Sequence, residues 1–271
     1  MRPAARRVWG LMYRHLALYR HSWPRVLELA YWPILQILLW GFTSRWLAER
    51  GALGPDAGTG ALIGGALIGG VLLWEVALRA QMGFSLTFLE EIWSRNLGHL
   101  FVSPLRPREM LAALMAMSLL RTLVALIPAA VLAWLLYGFD VLALGPVLVL
   151  FFAALMLMGW AISLAVVAMI LRHGAGAESL AWSLLFGLAP FAAVFYPVSA
   201  LPEWVRPLSW ALPAAHVFEG MRAALLDGHI AWGHLAAAFG LDALWLAAMG
   251  WVFLDQFRRA RASGALVSIG E

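Results

Sequence analysis

Residues 141–171 read VLALGPVLVLFFAALMLMGWAISLAVVAMIL and contain no ionisable side chain. A helix that crosses the hydrocarbon of a bilayer needs about 20 apolar residues, so this stretch is long enough to span a membrane. Leu, Ala and Met dominate the chain's apolar stretches, and no ten-residue alternation of apolar and polar residues appears, which favours helices over barrel strands. The sequence therefore predicts an α-helical membrane protein.

The composition of the whole chain agrees with this prediction. Of its 271 residues, 63% are hydrophobic and 13% are charged, whereas soluble domains contain about 45–50% apolar and about 25% charged residues. Five further apolar stretches reach spanning length, namely residues 26–47, 61–84, 110–137, 177–199 and 233–257. We therefore predict an all-α membrane protein with six transmembrane helices in a single domain, residues 1–271.

Two residue types are missing from the sequence. There is no cysteine, and all 19 basic residues are arginine. A disulfide framework and a cysteine nucleophile are thus excluded, as is a Walker A loop, which needs a lysine. No His-Glu-x-x-His or Gly-x-Ser-x-Gly motif occurs either. We predict a non-catalytic chain that binds no cofactor or metal in an active site and no nucleic acid.

The distribution of arginine predicts the orientation in the membrane. Thirteen arginines precede the first span, follow the sixth, or lie between spans two and three or four and five, whereas four lie on the other side. Because positive charge accumulates in cytoplasmic loops, both termini are expected in the cytoplasm. The first span lacks a cleavage site and is predicted to remain as an anchor. The arginine- and alanine-rich composition is typical of GC-rich bacterial genomes, so we expect the bacterial inner membrane.

Residues 3–22 are predicted to form an amphipathic helix in the membrane interface. Five apolar side chains share one of its faces: Val8, Leu11, Met12, Leu16 and Tyr19. Most of its charged side chains lie on the other faces. Anchoring to the membrane surface is one interpretation of this helix, and contact with a cytoplasmic partner is a second.

The longest cytoplasmic loop is predicted at residues 85–108. Its first part is amphipathic and carries Glu90, Glu91 and Arg95, and two prolines then interrupt it before span three. A short charged helix joined to two spans suits contact with another protein, whereas a solvated turn would carry the same charges incidentally. As neighbours on a helix, the two glutamates are expected to point apart.

Residues 197–231 form the longest segment on the outer side. They are too apolar for an open loop and too rich in proline for a span. Short helices that enter the outer leaflet and turn back are predicted, since such backbone is tolerated where it is buried in protein or lines a cavity. Glu219 and Arg222 are three residues apart here, so an internal ion pair and a substrate gate are both open interpretations.

Four ionisable residues lie within predicted spans, where charge is costly and usually faces the protein interior. Glu75 and Arg79 have the i, i+4 spacing of an ion pair, which is either structural or in contact with substrate. Arg121 and Asp242 have no such neighbour, and a pair between them is one hypothesis; a phosphate or the cytoplasmic interface would also satisfy Arg121.

Five glycines recur in span two, at positions 60, 64, 65, 69 and 70. Small residues allow helices to approach closely in lipid. Packing within one subunit is the first interpretation of these glycines, and contact between two subunits is the second.

The segment Leu201-Pro202-Glu203-Trp204, followed by Pro213, Glu219 and Arg222, resembles the re-entrant motif before the last helix of ABC-2-type permeases. These are the membrane subunits of ATP-binding cassette exporters. The segment Ser103-Pro104-Leu105-Arg106-Pro107-Arg108-Glu109 is similar to the proline and helix start that follow the coupling helix in that family. The order of the N-terminal helix, spans, loop and hairpin is similar over nearly the whole chain.

This resemblance implies a half-transporter that dimerises with a second copy and binds two copies of a separate cytoplasmic ATPase, which carries ATP and Mg. It implies that residues 88–100 dock into that ATPase, with five coupling residues: Phe88, Glu90, Glu91, Trp93 and Arg95. It also implies an outer gate with five residues: Pro202, Trp204, Pro213, Glu219 and Arg222. The cargo would be a lipid, a glycan or a drug-like molecule.

Three alternatives remain open. A secondary transporter would need matched ionisable residues in internal repeats, and a membrane-embedded lipid-modifying enzyme would need a convergent set of reactive side chains. Neither pattern is found in the sequence. A non-transporting role within the ABC family, such as a sensor, is also compatible with the sequence.

Overall fold

The computed structural model describes residues 3–20, 22–52, 57–94, 96, 105–177 and 179–262. These residues are mostly helical, with no strand among them. Their α-helices, in chain order, are α1 (Pro3–Arg20), α2 (Trp23–Glu49), α3 (Ala57–Trp93), α4 (Pro107–Tyr137), α5 (Val147–His173), α6 (Ser179–Leu188), α7 (Arg206–Trp210), α8 (Pro213–Leu226) and α9 (Trp232–Ala262). Short 3-10 turns lie between them at Val141–Leu144, Gly174–Ala177, Ala189–Phe191 and Val198–Ala200.

Five of these helices are long and apolar enough to cross a membrane: α2, α3, α4, α5 and α9. They correspond to five of the six predicted spans, and the prediction of an all-helical membrane protein is confirmed. The helices α2, α3 and α9 extend past both ends of the apolar stretches that predicted them, whereas α5 begins six residues inside the predicted stretch 141–171, because residues 141–144 form a 3-10 turn.

In the remaining predicted span, residues 177–199, the described residues form the short helix α6, the 3-10 turn Ala189–Phe191 and the beginning of the 3-10 turn Val198–Ala200, with no helix of spanning length. The α-helix ends at Leu188, and Pro190 lies in the 3-10 turn that follows. Proline removes one backbone donor but does not by itself end a helix in this protein, since α2 and α4 continue through Pro33 and Pro128. The chain nevertheless runs along α3: the carbonyl of Ala181 accepts a hydrogen bond from Gln81 at 2.9 Å, and Val194 contacts Gly70. The distance from residue 81 to 70 on α3 is about 16 Å, roughly half the hydrocarbon thickness. Six full spans stay a prediction.

The bundle has two distinct ends. At the first, α1 lies against the end of α3 and the beginning of α4 and is joined to both by ion pairs; because of this network of ion pairs we call it the network end. At the other, residues 191–231 pack against the first half of α3 and the beginning of α5; we call this the hairpin end. α9 begins at the hairpin end and packs along α5.

The glycines of α3 let the hairpin end pack tightly. Gly65 and Gly69 face the ring of Phe139, and a Cβ on Gly70 would lie 3.0 Å from the carbonyl oxygen of Val194. Gly69 also faces the sulfur of Met221 on α8. These contacts favour packing within the subunit as the role of at least these three glycines.

The helical part of the predicted 85–108 loop belongs to α3, which continues without a break to Trp93. The expectation of a separate short helix carrying Glu90, Glu91 and Arg95 is therefore wrong for the two glutamates, which belong to α3. Hydropathy alone cannot show where α3 ends, because the helix continues after its apolar stretch ends. Arg95 and residues 97–104 lie outside the described residues.

Candidate functional site

The candidate site is a network of polar side chains at the network end, formed by α1, α3 and α4. Its members are Arg7, Arg14, His15, Tyr19, Glu90, Glu91, Glu109 and Arg121; we call this set the charge network. Arg7 contacts Glu109, whereas Tyr19, twelve residues further along α1, contacts Arg121, twelve residues further along α4. Helix α1 therefore lies alongside the first half of α4.

Glu109 joins the beginning of α4 to α1. Its carboxylate accepts hydrogen bonds from Nε and Nη2 of Arg7 at 2.7 and 2.5 Å. It also accepts one from the backbone N–H of Arg106 at 3.0 Å, as the glutamate of a capping box does. One carboxylate thus caps α4 and forms a two-pronged ion pair, the strongest geometry available to an arginine.

His15 lies between the two adjacent glutamates at the end of α3. Its Nδ1 is 3.3 Å from a carboxylate oxygen of Glu90, and its Nε2 is 3.0 Å from one of Glu91. Glu91 also contacts Arg14 and accepts a hydrogen bond from Asn96 at 2.7 Å. The two glutamates were expected to point apart, but the imidazole of His15 lies between their carboxylates and reaches one with each of its nitrogens.

Arg121 is the innermost cation of the network, with a side chain only 4% exposed. Its Nη2 donates to both carboxylate oxygens of Glu90, at 3.0 and 3.1 Å, and its guanidinium lies 4.9 Å from the ring centre of Tyr19. The hypothesis of a pair between Arg121 and Asp242 is therefore wrong. Asp242 is fully buried in α9 and makes no hydrogen bond to the described residues.

The environment of His15 predicts a pH-dependent contribution to stability. Burial lowers the pKa of His15, but the carboxylates of Glu90 and Glu91 raise it by more, so the net shift is upward. Protonated His15 thus favours the folded state below its unfolded pKa of about 6.5, and this contribution is lost as the pH rises through the higher folded pKa. We expect the melting temperature of wild type to exceed that of His15→Gln most at pH 5 to 6, and the gap to narrow towards pH 9.

A thermal denaturation series from pH 5 to 9 on both proteins measures this gap. His173→Gln, which changes an exposed histidine on α5, is the control and is expected to follow wild type throughout. A gap between wild type and His15→Gln that widens with rising pH would contradict the assignment of a protonated imidazole between two carboxylates.

The coupling residues implied by the family resemblance divide into inward- and outward-facing ones. Phe88 is 1% exposed and belongs to the core, whereas Trp93, one turn later, is 52% exposed. Glu90 and Glu91 are engaged by the charge network, and Arg95 lies outside the described residues. Of the four described residues, Trp93 is therefore best placed to contact a partner directly.

The ion pair predicted in span two is present. Nε of Arg79 donates to Glu75 at 3.1 Å, one turn apart on α3. Glu75 is 3% exposed and the Arg79 side chain is 13% exposed. The pair therefore neutralises itself inside the protein, and contact with substrate remains a prediction.

The predicted gate residues lie at the hairpin end, in two different settings. Trp204 is 82% exposed, and Pro202 is exposed beside it, whereas Pro213 is buried at the beginning of α8. Glu219 and Arg222 form the predicted ion pair, with Nη2 3.2 Å from Oε1. Each of the two side chains also makes a hydrogen bond to the backbone between α6 and α7.

Hydrogen bonds of Glu219 and Arg222 hold the irregular segment between α6 and α7 in place. Glu219 accepts a hydrogen bond from the backbone N–H of Val198 at 2.6 Å, and Arg222 donates to the carbonyl of Ala193 at 3.0 Å. Ala193 has φ = 56°, a left-handed conformation that is uncommon for a residue other than glycine. The ion pair therefore secures a bend that the backbone alone disfavours.

Sequence reasoning missed several residues whose partners lie outside their own helix. Arg206 donates to the carbonyls of Leu201 and Ser199, both at 2.9 Å. His216 and His234 contact each other across α8 and α9. No local spacing signals such contacts. Only the concentration of arginine and histidine in residues 6–15 hinted at the polar side of α1.

These features define a multi-pass α-helical membrane protein whose N-terminal helix is joined by ion pairs to the network end of its bundle. The sequence model of one family, described as ABC-2 type transporter, matches residues 7–226. The chain belongs to the ABC-2 type transporter family. It is thus a transmembrane permease of an ABC transporter, in a family whose members pair with an ABC ATPase and are typically non-catalytic. No curated protein matches the chain.

Proposed function

We propose that this chain is the permease subunit of an ATP-driven exporter. It dimerises with a second copy, and the dimer binds two copies of a cytoplasmic ABC ATPase that carries ATP and Mg. The network end faces the cytoplasm of a bacterium, so both termini lie inside. The cargo is a lipid, a glycan or a drug-like molecule that crosses the inner membrane.

The observation that carries this proposal is the connection between the end of α3 and two other helices. Glu91 is held by Arg14 of α1, and Glu90 is held by Arg121 of α4. A displacement imposed on the end of α3 would therefore act on α1 and α4 through ion pairs. A permease that receives mechanical work from an ATPase needs a connection of this kind at the surface where the ATPase binds.

The exposed side of α1 supports the orientation. Trp9 and Tyr13 are 51% and 60% exposed, and amphipathic rings of this kind favour the level of the lipid head groups. Arg6 and Arg20 are exposed on the same helix, where anionic lipids would attract them. Helix α1 would thus bind protein on one side and the membrane surface on the other.

At the hairpin end, the segment around Trp204 is proposed as the outer gate between the two copies. The Glu219–Arg222 pair would keep the hairpin rigid, so that it moves as a unit when the spans tilt. An apolar pathway between the copies suits cargo with a large apolar part.

The first experiment tests the ATPase partner and its contact together. The tagged chain is purified from its own membranes in a mild detergent, co-purifying proteins are identified by mass spectrometry, and ATPase activity is measured. Wild type is expected to retain a cassette ATPase. Trp93→Ala is expected to weaken ATPase binding at least about tenfold and so to lower the amount recovered, because tryptophan is enriched among the hot-spot residues that contribute about 2 kcal/mol or more to an interface.

Two controls separate docking from folding. Trp93→Ala should melt close to wild type, since its side chain is half exposed. Trp46→Ala, which truncates a tryptophan with 51% exposure far from the network end, should retain the ATPase. Equal ATPase recovery from Trp93→Ala and wild type would refute this contact. A wild-type chain that purifies alone in every mild detergent would favour a secondary transporter or a membrane-embedded enzyme.

A further inference from the structure

Two histidines meet at the hairpin end, far from the charge network. His216 on α8 and His234 on α9 place their Nδ1 atoms 3.2 Å apart. The ring of Trp210 is stacked on that of His234, with centroids 5.7 Å apart and an interplanar angle of 13°. The same tryptophan ring lies 5.0 Å from the ring of His216. Trp210 of α7 thus packs against a pair of imidazoles contributed by α8 and α9.

The hydrogen bond of His216 to the backbone determines which of its nitrogens is free. A carbonyl oxygen can only accept, so Nε2 of His216 donates to the carbonyl of Trp210 at 3.0 Å. A neutral imidazole has a single N–H, and therefore Nδ1 of His216 presents a lone pair towards His234.

This arrangement is typical of a metal ligand. A metal-bound histidine almost always donates its second ring N–H to a carbonyl, a carboxylate or water, which orients the ring. Two nitrogens bound to one zinc ion at about 2.0–2.1 Å lie roughly 3.0–3.4 Å apart for bond angles between about 90° and 110°. The Nδ1 atoms of His216 and His234 fall within that range.

We propose that His216 and His234 bind a divalent transition-metal ion at the hairpin end. Imidazole suits zinc, copper and nickel, whereas magnesium and calcium prefer oxygen ligands. No group of three or more His, Cys, Asp or Glu side chains arranged to hold a metal occurs in the described part of the chain. Water therefore completes the coordination, and the ion exchanges more readily than in a closed four-ligand structural site.

A bound ion would join α8 to α9 across the connection at residues 227–231. The two helices are already close here, since a Cβ on Gly220 would lie 3.7 Å from the Cβ of His234 and 3.2 Å from the ring of Phe151. The ion would therefore stiffen the attachment of the hairpin to the last span. This inference goes beyond the proposed transport function and does not depend on it.

The test uses the full chain in mild detergent after treatment with a chelator. Zn²⁺ and Ni²⁺ are titrated, with Mg²⁺ as the ion expected to have no effect, and binding is followed by calorimetry and by melting temperature. At about 100 times the Kd, binding confined to the folded state should raise the melting temperature of wild type by several degrees. His216→Gln and His234→Gln should each weaken binding at least about tenfold, since losing even an outer partner of a ligand costs about 10–100-fold.

His229→Gln is the matched control, because His229 is exposed in the connection between the two helices; it should bind Zn²⁺ as wild type does. Electron paramagnetic resonance of Cu²⁺ bound to wild type counts nitrogen ligands without any substitution, and two are expected. Wild-type binding no tighter than that of the two glutamine variants, or a copper signal without two nitrogens, would overturn the proposal and leave a hydrogen bond between histidines.

Discussion

Arg121→Met is expected to lower the free energy of unfolding by about 3 kcal/mol. Removing one partner of a buried ion pair typically costs about 3–5 kcal/mol, because the other charge is left without compensation. Glu90 is 20% exposed, and His15 also contacts it, so the lower end of that range applies. Methionine keeps most of the apolar stem but loses the guanidinium that lies over the ring of Tyr19. The change in midpoint during denaturation in detergent micelles measures the loss.

Two further variants identify the cause of that loss. The double variant Arg121→Met with Glu90→Gln should be more stable than Arg121→Met alone, since it removes both charges of the pair. Arg259→Met, in an ion pair with Asp255 whose arginine is 72% exposed, should change stability by no more than about 1 kcal/mol. A double variant no more stable than Arg121→Met alone would mean that Glu90 is not the partner that matters.

The spanning helices were predictable because the information is local. A run of about 20 apolar residues determines the preference for hydrocarbon without reference to the rest of the chain. The stretch at 233–257 and helix α9, Trp232–Ala262, agree closely at their beginning and differ by five residues at their end. Hydropathy could not predict that end, since the last turn of α9 carries Arg258, Arg259 and Arg261 and remains helical outside the apolar region.

The segment at 177–199 shows where hydropathy is insufficient. It is as apolar as a span, yet α6 ends at Leu188. Pro190 removes one backbone donor, as Pro33 and Pro128 do within the unbroken helices α2 and α4. The contact of Val194 with Gly70 additionally provides a place for irregular backbone against α3. The proline was visible in the sequence, whereas the contact depends on packing between residues 124 positions apart.

Ion pairs were predictable only within a single helix. Spacings of three and four residues identified Glu219–Arg222 and Glu75–Arg79 correctly, because such residues share a helix face. Arg121 could be recognised as a residue in need of a partner, but Glu90 lies 31 residues away.

The role of α1 was only partly predictable for the same reason. Its apolar face was recognised and was expected in the membrane interface, whereas Leu11 is buried in the core of the bundle. Arg7 and Arg14 were expected to face lipid head groups, whereas they bind Glu109 and Glu91. Sequence alone cannot distinguish these roles, because a head group and a carboxylate present the same negative charge to an arginine.

Gly159→Leu is expected to have an effect at least as large as that of Arg121→Met. A Cβ at this position would lie 2.6 Å from the Cβ of Ala80 and 2.8 Å from the carbonyl oxygen of Ala77, both on α3. The carbonyl oxygen of Ala77 belongs to the backbone and cannot rotate away from the new side chain, so α3 and α5 must separate. Overpacking alone costs about 1–3 kcal/mol, and separation would also break the hydrogen bond from Ser163 to the carbonyl of Gln81, now 2.9 Å long. We expect a loss of 3 kcal/mol or more, roughly the upper limit of that range.

Gly240→Leu is the matched control, since Gly240 lies within α9 and nothing lies within 4 Å of its added Cβ. Leucine has a higher helix propensity than glycine by nearly 1 kcal/mol, so this variant should be as stable as wild type or slightly more so. Gly159→Ala tests the same contact with a single carbon: it should destabilise the protein although alanine favours helices, because steric overlap outweighs propensity. A Gly159→Leu protein with the same melting temperature as wild type would show that α3 and α5 do not touch at this point.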